Sequence, residues 1–227
     1  MDLSSLNLDT LRTVAQGIPT LDASKLETSH LFAIAAALGW ASGLRLYLVV
    51  FLTGLAGFLG WVVLPSGLTL LQNPVLLGAS GLMVAVEFLA DKVPGLDSLW
   101  DALHTVIRIP AGAALAASVF GGDHASWATV AALMGGTLAA TSHVAKATTR
   151  AAANTSPEPF SNIGLSLAGD ALVPAMLWTA WTNPLVFFIA LALVLVLMVG
   201  VTLLLMKFLR GLIRSLRGRL GGGRVVV

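Results

Sequence analysis

The sequence has no cysteine among its 227 residues. Disulfides, zinc–thiolate sites and thiol nucleophiles are therefore excluded. Charge is scarce as well: Asp, Glu, Lys and Arg make up 11% of the chain, against about 25% in soluble domains. Apolar and polar residues do not alternate along the long runs, which argues against strands; in lipid only helices and closed barrels satisfy their own backbone. Residues 1–29 are polar and mixed, and no apolar stretch follows a basic start there, so no signal peptide is expected. Ser98, Ser142 and Ser156 lack the G-x-S-x-G setting of a serine nucleophile.

What is present is overwhelmingly apolar, with 57% hydrophobic residues and a mean hydropathy of +0.90. Several runs near or above about 18 residues predict membrane-spanning helices. The expected fold is an all-α polytopic membrane helix bundle of about six spans, with broken helices and a three-plus-three inverted repeat. The spans are expected at 31–64, 74–90, 99–119, 125–153, 160–181 and 184–208. The first is too long for one straight crossing, and WASGLRLY suggests a break between Ala41 and Leu46. Residues 65–73 read as an uncharged turn and Pro94-Gly95 as a breaker, with Asp97 as N-cap of the third span and Pro110 kinking it. The sixth span is almost purely Leu, Val, Ala and Met and is expected to face lipid.

The repeat is suggested by two small-residue helices, AAALGWASG and AALMGGTLAA, and by two spans introduced by Asn-Pro, at Asn73 and Asn183. The halves would be 30–120 and 125–210 of a transmembrane domain at 30–210. A cytoplasmic segment at 1–29, with a candidate surface helix at 8–18, precedes it, and a basic cytoplasmic tail at 211–227 follows. With six spans both termini share a side. That side collects Lys92, Arg150, Lys207, Arg210, Arg214, Arg217, Arg219 and Arg224, whereas the opposite loops hold no Lys or Arg. The positive-inside rule then places both termini in the cytoplasm and the chain in the cytoplasmic membrane. Trp61, Trp127, Trp178 and Trp181 would form the outer aromatic belt.

Two helices carry polar stripes. Asp97, Asp101, His104 and Arg108 are spaced 4, 3 and 4 apart, an arc of roughly 60° on a helix. His143, Lys146, Arg150 and Asn154 are spaced 3, 4 and 4, an arc of about 80°. One ionised Asp or Arg at mid-bilayer costs about 2.5–3.5 kcal/mol. The stripes are therefore expected to face each other, with Asp97 or Asp101 meeting Lys146 or Arg150. Supporting positions are Arg45 at the break, Glu87, Asp91 and Lys92 ahead of the first stripe, Glu158 and Asn162 at the cytoplasmic mouth, and Asp170 as a mid-span partner for Arg45 or Lys146. His124 reads as a solvated loop residue.

Three function classes follow. The leading expectation is a transporter or channel for an ion or small charged, including anionic, solute. The stripes would line its path, and His104 and His143 would couple movement to protons, since an imidazole titrates near neutral pH. A second is a metal-dependent membrane enzyme acting on lipid. Asp97, Asp101 and His104 are its candidate ligands for a divalent cation, with Lys92 and Arg108 competing by charge. The third is a structural or assembly protein with a paired salt-bridge core. The expected partners are the lipid bilayer and a second copy of the chain; the basic tail beside a spanning helix does not call for nucleic acid.

Three blocks resemble an uncharacterised bacterial family of small integral membrane proteins, known as a domain of unknown function. They are ASGLRLYL at 41–48, EFLADKVPGLDSLWDALHTVIRIPAGA at 87–113 and HVAKATTRAAANTSPEPFSN at 143–162. Family members often carry Asn where this chain has Arg45. The resemblance implies the membrane fold and brings no activity with it. Separately, GLDSLWD at 95–101 resembles the second half of the carboxylate motif of CDP-alcohol phosphotransferases, in which Asp residues bind metal. The first half of that motif, with its Asp-Gly and Ala-Arg pairs, is missing here.

Overall fold

The computed structural model describes residues 27–93, 95–121, 125–155 and 160–221, with side chains to 215. The expected surface helix at 8–18, together with Pro94, His124, Glu158 and Arg224, lies outside the described residues. The regular elements run α1 (Thr28–Phe58), a 3-10 helix (Ser66–Gln72), α2 (Pro74–Ala90), α3 (Leu96–Ser118), α4 (Ala125–Ala153), α5 (Phe160–Thr182) and α6 (Pro184–Gly221). Four of them, α1, α4, α5 and α6, are long and apolar enough to cross a membrane, which fits a membrane protein. The second and third expected spans, α2 and α3, are not among these four: α2 qualifies only together with the preceding 3-10 helix, and Asp97, Asp101, His104 and Arg108 dilute the apolar character of α3. The expected turn at 65–73 is instead the 3-10 helix, bent by 71° against α2.

Local chemistry sets the helix starts. Asn73 accepts the Val75 N–H at 2.8 Å with Pro74 opening α2, and Asn183 accepts the Val186 N–H at 3.2 Å with Pro184 opening α6. Asp97 is not the N-cap of α3. Gly95 holds that position with φ at 87°, a conformation that favours glycine. Asp97 lies inside the first turn and accepts the N–H groups of Gly95 (2.8 Å) and Ser98 (2.6 Å). The helix runs on through Pro110.

The break in α1 falls at Arg45, whose φ of −146° and ψ of 69° are not helical. Before it, α1 descends alongside α3 and α4. Phe32 packs 4.9 Å from the Phe120 ring and 5.6 Å from Trp127. Gly39 then meets Gly135, and Gly43 meets Ala139 and Ser142. After the break the helix turns back. Phe51 lies on Gly81, Gly54 on the Leu71 carbonyl, and Gly57 on Leu64 and Gln72. The 3-10 helix that follows touches the end of α3, Gly67 on Ser118 and Ser66 on Gly121. Both ends of α1 thus lie at the end of the bundle where α3 finishes. A straight helix of 31 residues would separate its ends by about 45 Å. The arrangement is a re-entrant helical hairpin with Arg45 at its tip, about 25 Å down from Thr28 at 1.5 Å per residue.

Two expectations change as a result. Five helices, α2 to α6, run the length of the bundle in alternating directions, and α1 enters and leaves at one end; this replaces six through-going spans. The start of α1 and the distal part of α6 therefore lie at opposite ends of the bundle, where a shared side was expected from an even number of crossings. Nor do the two sequence halves match at their first helices, since α1 doubles back and α4 is continuous. The likeness of AAALGWASG to AALMGGTLAA has a simpler cause. Those two stretches pack on each other, with Gly39 so close to Gly135 that a Cβ at position 39 would overlap the Gly135 Cα.

The core is centred on the descending arm of α1, in which every residue from Ala33 to Leu46 is buried. Most of α6 is exposed along its apolar face, as expected of a lipid-facing helix, although Phe187, Leu191 and Thr202 turn inward. Of the expected belt, Trp127 and Trp178 face outward while Trp181 is buried.

Candidate functional site

The tip of α1 ends in a buried ionic network. The first arm of α1 stops at Leu44, where the break frees its carbonyl. Lys146 of α4 donates to that oxygen at 3.0 Å, a cation at a helix C-terminus as the helix dipole favours. One turn earlier on α4, Ser142 donates to the Trp40 carbonyl at 2.6 Å. Backbone freed inside an apolar bundle needs protein or water to satisfy it, and here Lys146 of α4 meets the Leu44 carbonyl.

Arg45 spreads its guanidinium between α2 and α5. It pairs with Asp91, which follows α2, and with Asp170 of α5 at 3.0 Å. It also donates to the hydroxyl (2.8 Å) and carbonyl (3.0 Å) of Ser166. Of the two partners named for Asp170 from the sequence, the structure selects Arg45. Arg108 of α3 is fully buried between Glu87 at 2.5 Å and Asp101 at 2.6 Å. Lys146 lies 3.1 Å from Asp101 and 3.6 Å from both Glu87 and Asp91. Arg150 pairs with Asp91 at 2.9 Å, Asp97 at 3.4 Å and Asp101 at 3.6 Å.

The two polar stripes therefore face each other. Three buried cations, Arg45, Arg108 and Arg150, and the partly buried Lys146 meet four buried carboxylates, Glu87, Asp91, Asp97 and Asp101, with Asp170 at the edge, 26% exposed. Asp91 is the hub, since one of its oxygens faces Arg45, Lys146 and Arg150 together. Glu87 and Asp91, read from the sequence as supporting residues, are as central as the stripes themselves.

Asn residues close the end nearest the α4–α5 connection. Asn154 donates to Asp97 at 3.1 Å and to Ser98 at 2.9 Å, and accepts from Asn162 at 2.5 Å. This ties α3, the end of α4 and the start of α5 together. Lys92 stands aside: it donates to the Phe88 carbonyl at 3.2 Å and sits 2.8 Å over the Phe88 ring.

The histidines part company. His143 lies beside the network: its Nε2 is 2.7 Å from the Thr105 hydroxyl, which itself donates to the main-chain carbonyl of Asp101 at 3.0 Å. His104 points elsewhere. Its Nδ1 donates to the Trp100 carbonyl at 2.8 Å, and its Nε2 lies 3.0 Å from the Tyr47 hydroxyl. It faces the returning arm of α1 rather than His143. Tyr47, Thr105 and Ser166 were not read from the sequence, and Ser142 was weighed only as a nucleophile. Each is a neutral hydroxyl in an apolar run, and no spacing rule marks it.

The metal candidates are not assembled. Among the described residues no three His, Asp or Glu groups are placed to hold an ion. Asp97 and Asp101 are directed at Arg150, Arg108 and Lys146, and His104 at Tyr47. The donor set supports ion pairing in place of metal ligation.

Residues 32–203 match a family model described as a domain of unknown function (DUF4126). No curated protein and no solved structure matches the chain.

Proposed function

The chain belongs to the DUF4126 family, a domain of unknown function, and from that premise we propose that it moves an ion or small charged solute across the cytoplasmic membrane. One observation carries this reading: the tip of a re-entrant helix ends inside a buried ionic network. Re-entrant segments at membrane depth occur where they are buried in protein or line a path, and broken helices present backbone charge to a transported species. Stability alone is a poor reason for such a network, because well-packed apolar residues in place of a buried ion pair are often neutral or stabilising. Ionisable groups inside a membrane mark pathways by default.

In this proposal Arg45, Lys146 and Arg150 share Asp91 in the closed state, and the solute displaces part of that pairing. All five through-going helices, α3 included, cross the bilayer. The end carrying Lys92, Arg150 and the tail of α6 lies in the cytoplasm by the positive-inside rule, and Thr28 at the opposite face. Lipid covers α6, and a second copy of the chain remains a candidate partner.

Flux into vesicles holding the purified protein tests the role. Asp101→Asn and Lys146→Met variants that still fold are expected to lose most of it; flux unchanged in both rejects the pathway. A second reading, a lock that fixes helix register, is favoured by the pairing of all four network cations with carboxylates. It predicts lower stability in these variants with no flux in the parent protein. Among the described residues no arrangement of side chains favours the lipid-enzyme class.

A further inference from the structure

We propose that the cleft beside the network binds an anionic amphiphile, a molecule with one acidic head and one hydrocarbon chain, admitted from the lipid. The cleft has a volume of about 230 Å³ and lies between α4 and α5, with the tip of α1 as its floor and α6 as its roof. Arg45, Lys146 and Arg150 reach its wall, and none of the network carboxylates does. These three side chains expose little of themselves and stay paired with the carboxylates behind them, so cations and no network anions stand at this wall. That asymmetry is the charge complement of an acidic head.

The remaining wall selects the tail. Leu172, Met198 and Val201 are apolar, and Leu165 and Leu197 stand at the mouth on the outer apolar surface, 36% and 66% exposed. An entrance through that surface opens to hydrocarbon, so a free inorganic anion has no favourable route to the cations. Met at such a site adapts to chains of differing shape. Leu44 and Arg45 at the tip of α1 also line the cleft, so an occupant touches the break in the first helix. This site stands whether or not the network moves a solute, because binding is scored without flux.

The test uses the full chain in a non-ionic detergent, with native mass spectrometry and displacement of a fluorescent fatty acid. The probes are oleate, oleyl phosphate, oleyl alcohol and inorganic phosphate. Oleate and oleyl phosphate are expected to bind saturably at one per chain. Oleyl alcohol, with the same tail and no charge, is expected to bind at least about tenfold more weakly, the scale of one charge-assisted hydrogen bond. Val201→Trp fills the cleft without touching an ion pair and should abolish binding; Lys146→Met should weaken the acids and leave the alcohol unchanged. Equal binding of acid and alcohol overturns the head-group assignment. Binding unaffected by Val201→Trp overturns the site, and competition by inorganic phosphate as strong as that by oleate overturns the amphiphile in favour of a free anion.

Discussion

Helices α1, α3 and α4 meet twice, by opposite means. Near the end where α3 finishes they touch through Gly39, Gly112, Gly135, Ala116 and Ala139, with backbone against backbone. Farther down, the same helices stand apart and the space between them holds Arg108, Asp101, Lys146 and Arg150. The first contact is what membrane helices use to associate, because small residues permit close approach and dispersion does the rest. The second is expensive to build and gains little over an apolar core of equal volume. The small-residue seam fixes how far α1 descends, and the ionic network decides what its tip meets. A chain that needed only a stable bundle could have continued the seam.

That contrast can be broken experimentally. The largest effect is expected from Arg108→Met, which takes from Glu87 and Asp101 their nearest shared partner and leaves them Lys146 and, for Asp101, Arg150; removing one side of a buried pair costs about 3–5 kcal/mol. Denaturation in detergent micelles measures it, and a loss near zero would mean that the interior is wet enough to solvate both carboxylates. A smaller effect is expected at the seam. Gly135→Val drives a side chain into Ala116 and the Gly112 carbonyl, and overpacking costs about 1–3 kcal/mol. If this change cost more than Arg108→Met, the seam would hold the greater share of the energy, and the network would stand as a site set into a scaffold that scarcely depends on it.

The break in α1 was legible because Gly39, Ser42 and Gly43 interrupt a run too long for one crossing. The facing of the stripes was legible because spacings of 3 and 4 put charges on one side of a helix and lipid forbids the other side. The reversal at Arg45 was not legible. A helix that bends and continues and one that bends and returns share a local sequence; what separates them is contact with Gly81, Leu71 and Gln72, far along the chain. The apparent inverted repeat misled for a related reason, since two stretches that pack together come to look alike when both must be small. Asp91 read as a residue at a helix end, and its place among three cations depends on how α1, α2 and α4 converge.

The central claim is that α1 enters and leaves at one face and carries Arg45 down to the network. The absence of native cysteine makes a direct test simple. Single cysteines at Thr28, Thr69 and Ser215, each exposed, can be labelled in sealed, oriented vesicles with a thiol reagent that does not cross lipid. Thr28→Cys and Thr69→Cys are predicted to react from the same side and Ser215→Cys from the other. Reaction of Thr28→Cys from the side of Ser215→Cys, opposite Thr69→Cys, would make α1 a through-going span and contradict the re-entrant hairpin.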